Sequence, residues 1–412
     1  MPPTHNPKST LFSGAMLAVL TAQFLSAAAD NALLFAAIGL IKANGFPDYF
    51  ESMLQEFFAG AFILLAPFVG PLADAYAKGR VMLVANMIKF LGAGAMFLGL
   101  HPLLAYGIVG LGAAAYSPAK YGILSELVAP EQLVKANGLM EGSTIVAILL
   151  GALLGGWLSD LSVHWALGAV AGLYAIAALA NLRIPKMAAA HPLHSFNLVV
   201  LAGDFWRALK LLFRNPDARF AVLGTSLFWG SGSTLRFMLV AWVPAALAIN
   251  NNHTAANLNG VVAIGIALGA AFAARWINLQ TVNRALIAGL LLGLGVWVFA
   301  GASNLYLAIA LLVFIGACGG FYVVPLNALL QERGHATVGS GHAIAVQNFS
   351  EGFAMLTLVG AFTAARKAEL DVIGLARGFG IVILILMALL TVARLTLWKS
   401  AAAEARRPLT QR

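Results

Sequence analysis

Residues Leu25–Phe35 read LSAAADNALLF and lie in the first long apolar run of the sequence, about Ser13 to Ile41. Asp30 and Asn31 stand near the middle of that run. A carboxylate at such a depth in a bilayer costs roughly 2.5–3.5 kcal/mol on insertion scales unless it faces protein or water. Two interpretations follow: Asp30 bonds a neighbouring helix, or it lies on the wall of a polar cavity.

The composition of the 412-residue chain excludes an ordinary soluble domain. Hydrophobic residues make up 61% of the chain and charged residues only 10%, whereas soluble domains carry about 25% charged residues. The net charge of +9 does not indicate a nucleic-acid partner, because the basic residues stand at the ends of apolar runs. We therefore expect an all-α polytopic membrane protein.

Apolar runs of spanning length recur along the sequence and predict about twelve transmembrane helices. The short alternating strands of a membrane β-barrel are not seen. The predicted spans are 13–41, 53–73, 81–100, 103–124, 136–158, 163–184, 220–248, 258–275, 284–302, 304–330, 340–363 and 372–398.

Basic residues are concentrated in one set of loops, and this asymmetry orients the spans. The opposite loops carry little beyond Lys42 and the mixed-charge segment around Arg366, Lys367 and Arg377. The positive-inside rule therefore predicts that the basic loops and both termini are cytoplasmic. The basic set comprises Lys78, Arg80, Lys135, Arg183, Lys186, Arg207, Lys210, Arg214, Arg219, Arg275, Arg284 and Arg333, with Lys399, Arg406, Arg407 and Arg412 in the C-terminal tail.

A polar, basic segment at 185–219 separates a first six-helix unit, 1–184, from a second, 220–412. Within this linker, Phe205–Phe213 (FWRALKLLF) is amphipathic and predicts a short helix on the cytoplasmic membrane surface. The two units share landmarks at an offset of about 206 residues, as an ancient tandem duplication would give. The matched positions are Pro118 with Pro325, Asn137 with His342, and Asp30 with Arg236.

Six charged residues lie inside the predicted spans, where each is costly on a lipid-facing surface. They are Asp30, Lys89, Lys120, Glu141, Arg236 and Glu351. Helical spacing places most of them on polar faces, and repeat symmetry makes these faces converge on one central cavity. The faces are Gln23/Ser26/Asp30, Tyr116/Lys120, Trp229/Ser233/Arg236 and Gln347/Asn348/Glu351. Lys89 is expected to snorkel toward the membrane surface instead.

The predicted cavity suits a substrate that carries both charges. Arg236 suits a phosphate, because its planar fork bonds two oxygens at once, whereas Asp30 and Glu351 suit an ammonium. Lys120 adds a second cation for phosphate or pairs with a carboxylate in the empty site. The alternative is a set of buried ion pairs that lock the halves together, with Asp30 paired to Arg236. The predicted substrate-binding residues are Asp30, Asn31, Tyr116, Lys120, Trp229, Arg236, Gln347, Asn348 and Glu351.

A gate is predicted at the loop after the second span, where Gly70–Arg80 reads GPLADAYAKGR. Its glycines allow a tight turn, and Asp74, Lys78 and Arg80 can latch helix ends together; the alternative is a solvated charge cluster. Glu141, at the start of the fifth span, is a fourth gating candidate. Three glycine pairs predict small-residue faces for close packing or for a moving gate. They are Gly138/Gly142, Gly151/Gly155 and Gly265/Gly269.

Enzyme motifs are missing from the sequence. It contains no GxxxxGKS/T, GxSxG or HExxH motif, and no His is followed five residues later by Asp. We therefore expect no enzyme activity, no cofactor and no bound metal, except that Asp30 or Glu351 could bind Na⁺ or a proton for energy coupling. Downhill movement is the alternative.

The segment GPLADAYAKGR resembles the signature of the major facilitator superfamily. From about Leu11 to Leu390 the chain is similar to the bacterial lysophospholipid transporters of that superfamily. The blocks that carry this resemblance are AQFLSAAADNALLF, APFVGPLADAYAKGR, AAAYSPAKYGILSEL, LVKANGLMEGSTIVAILL, GTSLFWGSGSTLRF and VVPLNALLQERG.

The resemblance implies twelve helices in two six-helix bundles related by a pseudo-twofold axis, which rock between inward- and outward-open states. It implies movement of lysophosphatidylethanolamine and lysophosphatidylglycerol from the outer to the inner leaflet of the Gram-negative inner membrane. An acyltransferase/acyl-ACP synthetase re-acylates them there; because the chain ends at Arg412, this enzyme is expected to be a separate partner. The acyl chain needs apolar surface or an opening to membrane lipid.

Three rival functions stay open. One is a major-facilitator exporter of drugs or another small amphiphile. Another is an integral-membrane lipid enzyme, for which the sequence offers no nucleophile or metal constellation. The third is a structural partner that anchors the acyltransferase through the basic 185–219 segment.

Overall fold

The computed structural model describes residues 11–46, 49–185, 197–249 and 252–405, and within these ranges the ordered elements are helices. Lys186 of the predicted basic loops and Arg406, Arg407 and Arg412 of the tail lie outside the described residues. The helices are α1 (Gly14–Ala43), α2 (Tyr49–Ala75), α3 (Lys78–Phe97), α4 (Pro102–Leu127), α5 (Leu133–Leu161), α6 (Val163–Asn181), α7 (Leu198–Arg214), α8 (Pro216–Leu247), α9 (Asn252–Trp276), α10 (Ala285–Phe299), α11 (Leu305–Thr337), α12 (Ser340–Lys367) and α13 (Val372–Ala405), with 3₁₀ turns at Pro130–Gln132 and Val282–Arg284.

The helices α1–α6 and α8–α13 form the two predicted six-helix bundles. The remaining helix, α7, lies in the connecting segment and is longer than the predicted Phe205–Phe213. Consecutive helices alternate in direction, so the loops at 76–77, 128–132 and 338–339 fall at one end of the bundles. We call this end, which carries most of the basic residues, the basic end.

Polar residues start several of the helices. Ser13, Asn197, Asn215 and Asn304 each accept a hydrogen bond from a backbone N–H in the first turn of the helix that follows. Such caps satisfy donors that a helix end leaves unpaired. The cap at Asn215, followed by Pro216, separates α7 from α8 and sets where the second bundle begins.

Nine segments of the described chain are long and apolar enough to cross a membrane by length and composition. The helices α4, α8 and α12 fall outside this set, although each has at least 26 residues. They carry Lys120, Arg236 and Glu351 inside otherwise apolar sequence. Their polar side chains need a protein or water environment, which a central cavity supplies.

Two of the three predicted glycine faces pack helices within one bundle. Gly151 and Gly155 of α5 contact the backbone of α1, and Gly265 and Gly269 of α9 contact the backbone of α11 so closely that a Cβ atom would not fit. These faces therefore support close packing rather than a moving gate. Gly138 packs between the bundles, against Ala274 of α9, whereas a Cβ atom at Gly142 would have no neighbour within 4 Å.

Candidate functional site

A cavity of about 420 Å³ lies between the two bundles. All nine residues that the sequence predicts to bind substrate line it: Asp30, Asn31, Tyr116, Lys120, Trp229, Arg236, Gln347, Asn348 and Glu351. Lys89 and Glu141 line it as well. The polar faces of α1, α4, α8 and α12 thus meet in one place, with side chains from α3, α5 and α11.

Asp30 is held by two donors from its own bundle. Its Oδ2 atom accepts a hydrogen bond from Lys89 Nζ at 2.8 Å, and its Oδ1 atom accepts one from Tyr174 OH at 2.7 Å. Lys89 Nζ also donates to Ser26 Oγ at 3.0 Å and lies 4.9 Å from the centre of the Tyr116 ring. Both interpretations of Asp30 therefore apply together, since it bonds neighbouring helices and faces the cavity.

The expectation that Lys89 snorkels to the membrane surface is wrong. Its side chain is only 1% exposed and forms an ion pair with Asp30. The physical reason is its position near the middle of α3, from which the ammonium cannot reach either membrane surface. A mid-span lysine needs an acidic partner, and α1 provides it.

The alternative that pairs Asp30 with Arg236 is also wrong. Arg236 lines the same cavity but remains exposed, and it has no hydrogen bond or ion pair with any other residue that the structure describes. Repeat symmetry gives the two residues matching places in separate bundles, and matching places need not touch. Lys89 of the same bundle is the closer cation for Asp30.

A chain of hydrogen bonds crosses the cavity from one bundle to the other. Glu141 Oε1 accepts from Tyr121 OH at 2.8 Å and from Asn327 Nδ2 at 3.3 Å. Asn327 Oδ1 accepts from Gln347 Nε2 at 2.7 Å, and this same amide donates to Glu351 Oε1 at 2.8 Å. Glu141, predicted as a gating residue, thus lies within the polar chain on the cavity wall.

Lys120 donates no hydrogen bond to any residue that the structure describes. Its side chain is buried, and its Nζ atom lies 4.1 Å from the centre of the Tyr121 ring. Lys120 and Arg236 are therefore two cavity cations without an anionic partner in the described chain. Each of the three carboxylates, in contrast, accepts at least one hydrogen bond. An anionic group is the natural complement of this arrangement.

The other predicted binding residues occupy more ordinary environments. Asn31 Nδ2 donates to the Ala27 carbonyl at 2.8 Å, and Asn348 Nδ2 donates to Ser117 Oγ of the opposite bundle at 2.9 Å. Trp229 is 37% exposed, so an aromatic surface is available in the cavity. The buried Tyr116 hydroxyl has no hydrogen-bond partner in the described part of the chain.

A latch joins the bundles at the basic end. Asp74 is fully buried; its Oδ1 atom accepts from the Gly341 N–H at 2.7 Å, and its Oδ2 atom accepts from the His342 N–H at 3.0 Å. His342 Nδ1 lies 2.7 Å from the same Oδ2 atom. A carboxylate at the first turn of α12 is stabilised by the exposed N–H groups and the helix dipole. Lys78 Nζ lies 3.6 Å from Asp74.

Further polar contacts lie at this end, within the first bundle and between the two bundles. Lys78 Nζ lies 2.5 Å from Glu126 of α4. Asn137 of α5 and Gln331 of α11 exchange two amide hydrogen bonds of 2.8 Å. Arg80 is exposed and has no partner in the described ranges, so the structure does not bring it into the latch with Asp74 and Lys78. The Asp74 latch and the Asn137–Gln331 pair therefore join the two bundles at the basic end.

Asp74→Asn is expected to weaken this latch. The amide has one acceptor oxygen instead of two, so an N–H group of α12 loses its charged partner. Hydrogen bonds to charged groups contribute about 1.5–3 kcal/mol, and we expect the buried Ser340 position to become accessible about tenfold more often. The measurement is the maleimide labelling rate of Ser340→Cys in a Cys318→Ala background.

The matched control is Asp160→Asn, which removes an exposed carboxylate near the C-terminal end of α5, away from the basic end. It should leave the labelling rate unchanged. Equal rates for the Asp74 and Asp160 variants would show that the latch does not hold the basic end closed.

Sequence reasoning missed three residues of this site, Tyr121, Tyr174 and Asn327, and assigned a fourth, Lys89, to the membrane surface. Tyr121 and Asn327 follow the matched prolines of α4 and α11, and both bond Glu141. Their offset of about 206 residues is the signal that could have found them. Tyr174 lies in an apolar stretch of α6, and no local pattern distinguishes it from a packing residue.

Comparisons with known proteins agree with this architecture. Residues 19–359 match the family model of the Major Facilitator Superfamily. The lysophospholipid transporter LplT of Enterobacter sp. (strain 638) is 53% identical over 372 residues, which cover 90% of this chain and 94% of the relative. The LplT protein of Escherichia coli O7:K1 (strain IAI39 / ExPEC) is 54% identical with the same coverage.

Solved structures show the same fold at low sequence identity. The human organic anion transporter MFSD10 (TETRAN) has a TM-score of 0.73 and 16% identity, with 92% of this chain and 99% of that chain covered. The E. coli fucose:proton symporter FucP has a TM-score of 0.72 and 14% identity, with 92% and 98% covered. The chain therefore belongs to the Major Facilitator Superfamily and, within it, to the family of the bacterial lysophospholipid transporters.

Proposed function

We propose that this chain transports lysophospholipids across a bacterial membrane by alternating access. The observation that carries the proposal is a pair of cations, Lys120 and Arg236, that have no anionic partner among the described residues, in a cavity whose carboxylates are already hydrogen-bonded. A lysophospholipid head group brings the phosphate that such a site lacks. The names of the relatives that are more than half identical support the same substrate class.

The phosphate is the part of the head group that both proposed substrates, lysophosphatidylethanolamine and lysophosphatidylglycerol, have in common. Arg236 bonds two of its oxygens through the planar guanidinium, and Lys120 adds a point charge. Glu351 is the carboxylate for an ethanolamine ammonium, because it has no cationic partner among the described residues. Asp30 is less suited to this role, since Lys89 already neutralises it.

The proposed direction is from the outer to the inner leaflet of the Gram-negative inner membrane. The basic loops favour a cytoplasmic basic end and cytoplasmic termini. The Asp74 latch joins the two bundles at that end, which supports entry of substrate from the outer side. An acyltransferase/acyl-ACP synthetase on the cytoplasmic side is the proposed partner, because it would consume the delivered lysolipid.

Coupling to Na⁺ or a proton is proposed at Glu351 in preference to Asp30. A Na⁺ ion at Asp30 would have to displace the ammonium of Lys89, which lies 2.8 Å from the carboxylate. Glu351 is half-buried and bonded by a neutral amide, so an ion or proton can bind there without breaking an ion pair. Downhill movement, drawn by re-acylation, is the alternative.

Purified protein in proteoliposomes tests the proposal. We expect saturable uptake of both lysolipids, competition between them, and no uptake of diacyl phospholipids. Uptake is compared with no gradient, a Na⁺ gradient and a pH gradient, and an unchanged rate under all three conditions would indicate downhill movement. Transport of cationic dyes without lysolipid transport would contradict the proposal and favour a drug exporter. Hydrolysis or acylation without transport would favour a lipid enzyme.

A further inference from the structure

The helix α7 has two distinct faces. Leu201, Phe205, Ala208 and Leu212 are buried and recur at the spacing of one helical face. On the opposite face lies the cationic stripe, which we define as Arg207, Lys210 and Arg214; all three are exposed. One side of the helix therefore belongs to the protein core, and the other presents three positive charges.

The buried face of α7 lies across the seam between the two bundles. It contacts α2 of the first bundle and α12 of the second. Phe205 and Trp206 pack edge-on against Phe349 of α12, with ring centres 5.5 and 6.1 Å apart. Phe349 follows Asn348, which lines the cavity and bonds Ser117 of the opposite bundle. The helix α7 therefore contacts α12 at a residue next to the cavity wall.

Opening of the basic end must separate α2 from α12, because the Asp74 latch joins these same two helices. A helix that contacts both of them cannot keep all of its contacts when they part. Opening therefore requires α7 to release one bundle, and the released helix needs another surface to bind.

The outward side of α7 is suited to a negatively charged membrane surface. The cationic stripe is flanked by exposed apolar side chains, among them Val199, Trp206 and Leu211. Arg207 pairs with the exposed Asp204 at 3.0 Å, whereas Lys210 and Arg214 have no acidic partner in the described part of the chain. Cations beside apolar groups on one helix bind the interface of bilayers that contain anionic lipid.

We propose that α7 is a strap that binds anionic lipid head groups and so couples the lipid composition of its leaflet to opening of the basic end. Anionic lipid holds the strap after it releases one bundle, and inward opening becomes more favourable. The transport part of this inference rests on the proposed function. The lipid contact itself does not.

Two readouts test the strap in vesicles of phosphatidylcholine made with or without phosphatidylglycerol. The first is an environment-sensitive fluorophore on Val199→Cys in the Cys318→Ala background; Val199 is 80% exposed and lies beside the stripe. The second is uptake of lysophosphatidylethanolamine. With native α7 charges, phosphatidylglycerol should shift the emission to shorter wavelength and raise uptake several-fold.

The test variant is Arg207→Gln/Lys210→Gln/Arg214→Gln, and the matched control is Lys135→Gln/Arg275→Gln/Arg284→Gln. Both remove three exposed charges from the basic end. We expect the test variant to lose the emission shift and the lipid dependence of uptake, and the control to keep both.

An emission shift that survives in the test variant overturns the lipid contact. A shift that is lost while uptake keeps its dependence on phosphatidylglycerol overturns the coupling. If the native chain takes up no lysolipid in any vesicle, the proposed function fails, and the fluorophore still decides whether α7 binds anionic lipid. No other protein is present, so a protein partner cannot produce the shift.

Discussion

Arg236→Lys is expected to lose most uptake of both lysophosphatidylethanolamine and lysophosphatidylglycerol. Lysine keeps the charge but cannot bond two phosphate oxygens with a planar fork. A hydrogen bond to a charged group contributes about 1.5–3 kcal/mol, so the loss of one corresponds to about a tenfold or greater fall in uptake. The measurement is the initial rate of uptake of each substrate into proteoliposomes that contain equal amounts of folded protein.

Arg219→Lys is the control, because it makes the same change on α8 away from the cavity. It should leave uptake of both substrates near the native rate. Near-normal transport of both lysolipids by Arg236→Lys would contradict the assignment of the phosphate to this guanidinium. A selective loss of one substrate would place Arg236 against a part of the head group that differs between the two.

Lys89→Met is expected to destabilise the first bundle strongly. It leaves Asp30 as a carboxylate without its cation, and breaking a buried pair from one side costs about 3–5 kcal/mol. Because the Asp30 side chain is 21% exposed to the cavity, we expect about 3 kcal/mol, the lower end of that range. The measurement is the apparent melting temperature of purified protein, which should fall by several degrees, together with lysolipid uptake.

The double variant Asp30→Asn/Lys89→Met tests whether the loss of stability comes from the stranded charge of Asp30. An amide in place of the carboxylate removes the stranded charge and still accepts the Tyr174 hydroxyl, so most of the lost thermal stability should return. Lys135→Met, on an exposed side chain, controls for loss of a lysine. If the double variant melts as low as Lys89→Met, the effect arises from packing of the lysine side chain and not from its charge.

The location of the cavity could be predicted from helical spacing together with repeat symmetry. Gln347 and Asn348 share a face with Glu351 because Glu351 follows them by four and three residues, about one helical turn. Tyr116 and Lys120 are likewise four residues apart. A charged or polar side chain inside a span is costly when it faces lipid, so each polar face must turn toward protein or water. Repeat symmetry then brought the faces of different spans to one centre.

The pairing of charges inside the cavity could not be predicted in this way. Spacing along a helix tells which face a residue occupies, but the partner depends on which neighbouring helix lies opposite at that depth. Asp30 finds Lys89 on α3 and Tyr174 on α6, both from its own bundle. The latch shows the same distinction. Asp74 bonds the backbone of α12, and no side-chain pattern in the sequence marks that partner. Arg80, in contrast, stays exposed.

The polar character of α4, α8 and α12 has a consequence for the biogenesis of the protein. These three helices fall outside the set that is apolar enough to span a membrane unaided, and a charged residue near a span centre disfavours entry into the bilayer by about 2.5–3.5 kcal/mol. We expect each of them to leave the translocation channel together with an apolar neighbour that shields its charge. We therefore expect the residues proposed to bind substrate to make the synthesis of the protein depend on the order in which its helices enter the membrane.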